Sequence, residues 1–256
     1  MFTIRKGQIT VFEKNAYTCF EDDMVEHLRS FAGKHCEVIG EKKVRETIQS
    51  GIERAKKYDL TNRGPVRFFI EMMFMFGSEF DTDPQYPWAV DILNDDTIPG
   101  QMFRAERLYD EMILYLDNVA GPKNAYSIKA LQGIRERILR PVALSRDTFV
   151  NDMLMEMKRI YPQKCLYTGD APLRELIREG MRSAEIYAIQ NMRGTMLFVV
   201  LMFALGHGFS DDPLFPWISK TLNDPSIPDP DQKAERVERK AATYLDNVLA
   251  YHAQHR

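Results

Sequence analysis

Six carboxylates crowd one stretch of this chain: Glu79, Asp81, Asp83, Asp91, Asp95 and Asp96. A hard divalent cation takes several oxygen ligands, so such a stretch could hold one, with Asp81 and Asp83 as the candidate ligands. The spacing is not that of an EF-hand loop. Pro84 falls where that loop would continue, and its central glycine and closing glutamate are missing. A second chemistry open to the same residues is an acidic docking surface for a basic partner. The other reactive side chains offer less. His207 stands between Gly206 and Gly208 with no acid or nucleophile near it in sequence. His27 and His35 are too far apart along a helix to share a metal. His35 and Cys36 are neighbours whose side chains diverge on a helix. No HExxH, GxSxG, Walker A or GxGxxG pattern occurs. The residues therefore lead to no catalytic set, no cofactor and no firm metal site, and to the expectation that the chain is not an enzyme.

The acidic stretch belongs to a segment that the chain contains twice. Gly77-Ser78-Glu79-Phe80-Asp81-Thr82-Asp83-Pro84-Gln85-Tyr86-Pro87-Trp88 recurs as Gly206-His207-Gly208-Phe209-Ser210-Asp211-Asp212-Pro213-Leu214-Phe215-Pro216-Trp217. The offset, 206 − 77 = 129, also pairs Phe20 with Phe149, Cys36 with Cys165, Gly40 with Gly169, Tyr58 with Tyr187, and Leu116–Val119 with Leu245–Val248. Residues kept in both copies are best explained by folding; those that differ are free to carry function. Gly77, Phe80, Asp83, Pro84, Pro87 and Trp88 are kept, as Gly206, Phe209, Asp212, Pro213, Pro216 and Trp217. They are read as a rigid corner between helices, its prolines fixing the backbone and its tryptophans buried as anchors. Asp81 becomes Ser210 in the second copy, which speaks against a duplicated cation site. Tyr109-Asp110-Glu111 becomes Glu238-Arg239-Lys240. That reversal of charge implies that the two outer faces bind different things.

The elements that position these residues are helical. Phe20, Met24, Leu28 and Phe31 form one apolar stripe, and Val44, Ile48, Ile52 and Ala55 another. A third helix is expected to start at Pro65 and stop at Gly77. Ala89–Leu93 reads as a short helix. A last helix carries Ala105, Leu108, Met112, Tyr115, Leu116 and Val119, and its second copy opens with Asp229 as N-cap before Pro230. Ile9–Phe12 lacks strand alternation and extends the first helix. The run Met196–Leu205 is too short for a membrane span and reads as a helix buried on all sides. The expected fold is all-α, two tandem pseudo-symmetric helical repeats of about five helices each, at residues 1–122 and 123–256, packed as one unit.

Composition limits the partners. The chain has 256 residues, 45% hydrophobic and 28% charged, with a net charge of −3, which is ordinary globular chemistry. It lacks the basic excess of a nucleic-acid binder. Arg135, Arg137 and Arg140 are interrupted by Glu136 and read as a solvated face. Three cysteines, Cys19, Cys36 and Cys165, and no apolar run in Met1–Gly7 point to a reducing, cytoplasmic setting. Cys36 and Cys165 are expected to fill the same apolar niche in each copy. No nucleic-acid or membrane partner is expected.

Several motifs carry a resemblance. They are Thr3-Ile4-Arg5-x-x-Gln8, Phe20-Glu21-Asp22-x-Met24-Val25-x-His27-Leu28, His35-Cys36, Arg63-Gly64-Pro65-Val66-Arg67, and Met73-Phe74-x-Phe76-Gly77-Ser78-x-Phe80-Asp81-Thr82-Asp83-Pro84-Gln85-x-Pro87-Trp88. Together they resemble an uncharacterised family of Gram-negative bacteria encoded beside type VI secretion genes. The resemblance covers residues 1–119 and reaches the rest through the internal repeat. It implies a cytoplasmic accessory protein, an adaptor or co-chaperone for a toxin effector, with the effector, its chaperone or a spike protein as partner. An immunity protein that neutralises a cognate toxin is the alternative, and a metal-dependent enzyme a third. The family brings no assigned site residues.

Overall fold

The computed structural model describes residues 6–142 and 144–254, with side chains from residue 15 onward. Met1–Arg5, which carry part of the resemblance and of the expected lack of an export signal, lie outside them. The described chain is all-helical, with no strand. Its α-helices are α1 Lys6–Phe31, α2 Gly33–Ile39, α3 Glu41–Lys56, α4 Arg63–Phe76, α5 Pro87–Leu93, α6 Gly100–Val119, α7 Ala125–Leu139, α8 Phe149–Ile160, α9 Pro162–Thr168, α10 Asp170–Ile186, α11 Met192–Leu205, α12 Pro216–Leu222 and α13 Pro230–Gln254.

Helix boundaries carry the sequence offset. The bounds of α2, α4 and α5, moved on by 129, are those of α9, α11 and α12. Ring pairs carry it too. Phe69 lies 4.8 Å from Phe80 and Phe198 lies 5.4 Å from Phe209; Trp88 lies 5.9 Å from Tyr115 and Trp217 lies 6.0 Å from Tyr244. The buried apolar residues divide into two clusters, one between Met24 and Val119 and the other between Ile134 and Leu245. Ile39, Phe74 and Tyr161 pack against both. Burying two such clusters is the main driving force for folding, since each methylene removed from water contributes about 0.8 kcal/mol.

Several expectations need correction, and others hold. The described residues give six α-helices before residue 122 and seven after it, rather than about five in each half. The missed elements are α2 and α9, about two turns each and too short for a periodic signal, and the break that separates α7 from α8 where α1 runs straight. The third helix begins at Arg63, two residues before Pro65. Ile9–Phe12 is helical, inside α1. Phe31 is 45% exposed and stacks on His27 at the helix end instead of joining the stripe. Arg137 is buried, paired with Glu156 at 2.6 Å, and does not belong to a solvated face. Asp229 does cap α13: its carboxylate accepts from the Asp231 N–H at 3.0 Å. Cys36 and Cys165 are both buried and free, while Cys19 is exposed.

Candidate functional site

Both corners of the repeated motif meet at the centre of the molecule, and their aspartates are crossed. Helices α4 and α11 end on Gly77 and Gly206, whose φ angles of +104° and +101° turn the chain out of each helix. After each turn the chain runs into the kept aspartate. Oδ1 of Asp83 accepts from the Gln85 N–H at 2.8 Å, and Oδ1 of Asp212 accepts from the Leu214 N–H at 2.8 Å, closing the same local turn. The second oxygens cross over. Oδ2 of Asp83 accepts from the His207 N–H at 2.8 Å, and Oδ2 of Asp212 accepts from the Ser78 N–H at 2.9 Å. Each corner thus satisfies a backbone N–H in the turn of the other, just past the helix C-terminus, and the glycines let the two turns touch. Burial raises the pKa of Asp83, partly opposed by the His207 charge and its hydrogen bonds, and raises that of Asp212 to about 6.

Phe80 and Phe209 are fully buried under the corners, as the kept aromatics should be. The tryptophans are not. Trp88 and Trp217 are only partly buried, and each tucks an indole Nε1 away from water without a hydrogen-bond partner. The anchor is therefore the phenylalanine, with the indole packed on the Tyr115 or Tyr244 ring at the rim.

Asp81, the other candidate ligand, is buried against a cation already in the chain. Arg54 Nη2 approaches its Oδ1 at 2.7 Å, and Tyr58 Oη donates to its Oδ2 at 3.0 Å. Among the described residues no group of three or more His, Cys, Asp or Glu could hold a metal ion. The two carboxylates with the best claim to be ligands in sequence are spent on the corner.

Lys164 is a buried ammonium that the sequence did not flag. It occupies the position of His35 in the second copy. Its Nζ donates to the Phe203 carbonyl at 3.0 Å and lies over the Phe203 and Tyr86 rings, 4.8 and 5.3 Å from their centroids. The His35 ring lies edge-on to Phe74 and Phe215, so α2 and α9 each reach one aromatic of their own half and one of the other. Burial lowers the Lys164 pKa to about 8 from 10.5, with the Asp83 charge opposing. A group whose folded pKa is depressed contributes stability present above its unfolded value and lost as pH falls through the folded one. The wild type is therefore expected to gain about 3 kcal/mol from this residue between pH 8 and 10.5. Lys164→Met should lack that gain. Urea unfolding of both proteins at about pH 7.5 and about pH 10 checks it, and parallel pH profiles would contradict it.

His207 is not alone in the structure. Its Nδ1 lies 3.2 Å from Glu179, its Nε2 lies 3.1 Å from Thr82 Oγ1 and 3.6 Å from Glu79, at the mouth of a cleft of about 370 Å³. Hydroxyl, imidazole and carboxylate in this order have the look of an acyl-transfer triad. The Thr82 hydroxyl, however, donates to the Glu79 carbonyl at 3.2 Å and accepts from Arg54 Nη2 at 3.2 Å, so its proton is not offered to the imidazole. Burial works to lower the His207 pKa, but the Glu179 hydrogen bond and the Asp83, Glu179 and Glu79 charges outweigh it and leave it raised. The arrangement links two carboxylates, one from each half, through the imidazole. No sequence signal marked it, because Glu179 is distant in the chain.

Comparison with family models, curated proteins and solved structures finds no match to this chain. The outer faces must then speak for themselves. One cleft of about 510 Å³ lies between α5 and α6, lined by Asp91, Asp95, Glu106, Asp110, Arg107 and Phe103, among others. Another of about 640 Å³ lies on α13, lined by Trp217, Arg236, Arg239, Lys240 and Thr243; of these, Arg236 and Arg239 are the repeat equivalents of Arg107 and Asp110. Residues 89–119 hold seven acids (Asp91, Asp95, Asp96, Glu106, Asp110, Glu111, Asp117) and two arginines (Arg104, Arg107), a net −5. With the whole chain at −3, everything else sums to +2. No helix among the described residues is long and apolar enough to cross a membrane.

Proposed function

We propose that this chain is a non-enzymatic protein-interaction protein, an accessory adaptor or co-chaperone for a type VI secretion toxin effector, acting in the cytoplasm. The observation that carries this reading is a pair of clefts of opposite charge on the two repeat-equivalent helices: acidic on α5–α6, basic on α13. One framework with two unlike faces suits a protein that holds two different partners together, and electrostatic complementarity sets which partner meets which face. The motif residues are engaged in joining the halves, which leaves the outer faces as the places for recognition. The family resemblance of residues 1–119 supplies the setting: the partners are the effector, its dedicated chaperone or a spike protein.

The acidity of α5–α6 also favours the second reading, an immunity protein that covers a basic toxin directly. The two are separated in cells. An adaptor is required for delivery of the toxin encoded beside it and gives no protection when expressed alone with that toxin. An immunity protein protects alone. If deletion leaves delivery intact and expression protects, the adaptor reading is wrong.

A further inference from the structure

Helix α6 exposes apolar side chains that its own copy shows to be unnecessary for the fold. Met102 and Phe103 are each 59% exposed, Tyr109 51% and Leu114 50%, with Ile113 also outward. At the offset of 129, Met102, Phe103 and Leu114 correspond to Asp231, Gln232 and Thr243, while Tyr109 and Ile113 correspond to Glu238, which pairs with Arg193, and to Ala242, which is buried. Both helices turn equivalent residues inward, Leu108, Met112 and Tyr115 on α6 and Val237, Ala241 and the partly buried Tyr244 on α13. A helix in this position therefore needs no outward methionine, phenylalanine or leucine. Large apolar groups exposed together mark a contact surface rather than packing.

Their arrangement is ordered. At 3.6 residues per turn, Met102, Tyr109 and Ile113 align in one row, and Glu106, Asp110 and Asp117 align in the row beside it. The rows run from residue 102 to 117, about 22 Å at 1.5 Å per residue. Asp91 on α5 and Asp95 in the turn after it extend the acidic side across the cleft.

We infer that this face of α6 seats a basic amphipathic helix of a different protein, its apolar row against Met102, Tyr109 and Ile113 and its lysines or arginines against Glu106, Asp110 and Asp117. The inference rests on the interaction reading above and names the partner for one face. Charge complementarity selects the occupant. A nucleic acid or an anionic lipid surface is repelled by a segment of net −5. A second copy could offer Arg236, Arg239 and Lys240 of α13, but at the places of Met102, Phe103 and Leu114 that helix carries the polar Asp231, Gln232 and Thr243, so the α6 apolar row would stay unmatched. A helix laid along a helix satisfies both rows at once, in the manner of helix-in-groove recognition.

The test places a photo-crosslinking amino acid at Phe103 and, as internal control, at Gln232, in the full chain expressed in its own host. The crosslinked peptides are then sequenced by mass spectrometry. The expected result is a basic, amphipathic peptide of another protein from position 103 and not from 232. Glu106→Lys with Asp110→Lys should lower its recovery at least tenfold with an unchanged melting curve, since both residues are outward. An α13 peptide of the same chain would overturn the inference in favour of self-association. An acidic peptide, or none, would also overturn it. If position 103 gives nothing while the tagged chain still captures the effector or its chaperone, the function stands and this partner assignment falls. If capture fails as well, both fall.

Discussion

Asp83→Ala is expected to destabilise the protein by about 3–5 kcal/mol, a large part of the ~5–15 kcal/mol that holds an ordinary domain folded. The side chain, itself fully buried, receives three donors, the N–H groups of Gln85 and His207 and the Nε2 of Gln85. Removing the acceptor leaves those donors unsatisfied, at roughly 1–3 kcal/mol each before relaxation. It also removes the nearest negative charge from the buried Lys164, which then loses part of what keeps its proton bound. Asp212→Ala strands the N–H groups of Ser78 and Leu214 and releases the Ser78 hydroxyl, which can turn to another acceptor, and it leaves the Asp83–Lys164 attraction in place, so its cost should be smaller, about 2–3 kcal/mol. Because each aspartate caps the other's turn, the double variant should cost less than the two singles together; opening the junction once removes what the second contact held. Urea unfolding of the three variants measures this. An Asp83→Ala protein that unfolds like wild type would remove the claim that the crossed aspartates join the halves.

The sequence made the corner legible and hid its purpose. Two copies of Gly77 to Trp88 announce a kept structural unit, and the helix bounds around it follow the same offset. What could not be read was that Asp83 and His207, 124 residues apart, would meet. A carboxylate one residue ahead of a proline looks the same whether it closes its own turn, binds a cation or accepts from a distant turn, and only the fold decides. The indoles depart from expectation for a related reason: a kept tryptophan signals packing, but not whether the ring lies in the core or along its rim, as Trp88 does against Tyr115. Lys164 was invisible because a lysine beside a cysteine carries no periodic signal. The outward row on α6 becomes legible once the two copies are compared residue by residue, as the charge reversal at Asp110 and Arg239 already suggests.

Gly206→Ala should be as damaging as the loss of Asp83, about 3 kcal/mol or more, for two reasons that another glycine separates. Backbone strain is the first. At φ +101° a side chain costs on the order of 1–2 kcal/mol. Close approach is the second. A Cβ on Gly206 would sit 2.9 Å from the Phe76 carbonyl oxygen and 3.4 Å from the Gly77 Cα, and a Cβ on Gly77 would sit 2.8 Å from the Leu205 carbonyl oxygen. These are main-chain atoms at the ends of α4 and α11, so neither can swing aside; the two helix ends must separate, and with them the aspartate contacts that bridge the turns. Gly169 shares the left-handed backbone, φ +86°, but a Cβ there meets nothing within 4 Å. Gly169→Ala should therefore show the strain alone, and the excess cost of Gly206→Ala over it measures how tightly the corners press together. Hydrogen exchange gives the same comparison locally. The Ser78 and His207 amides, protected by Asp212 and Asp83, should exchange faster in Gly206→Ala and remain protected in Gly169→Ala. Equal costs for the two substitutions would mean that the turns are not in contact, and the joining of the halves would then have to rest on the Lys164 and His35 contacts of α9 and α2 instead.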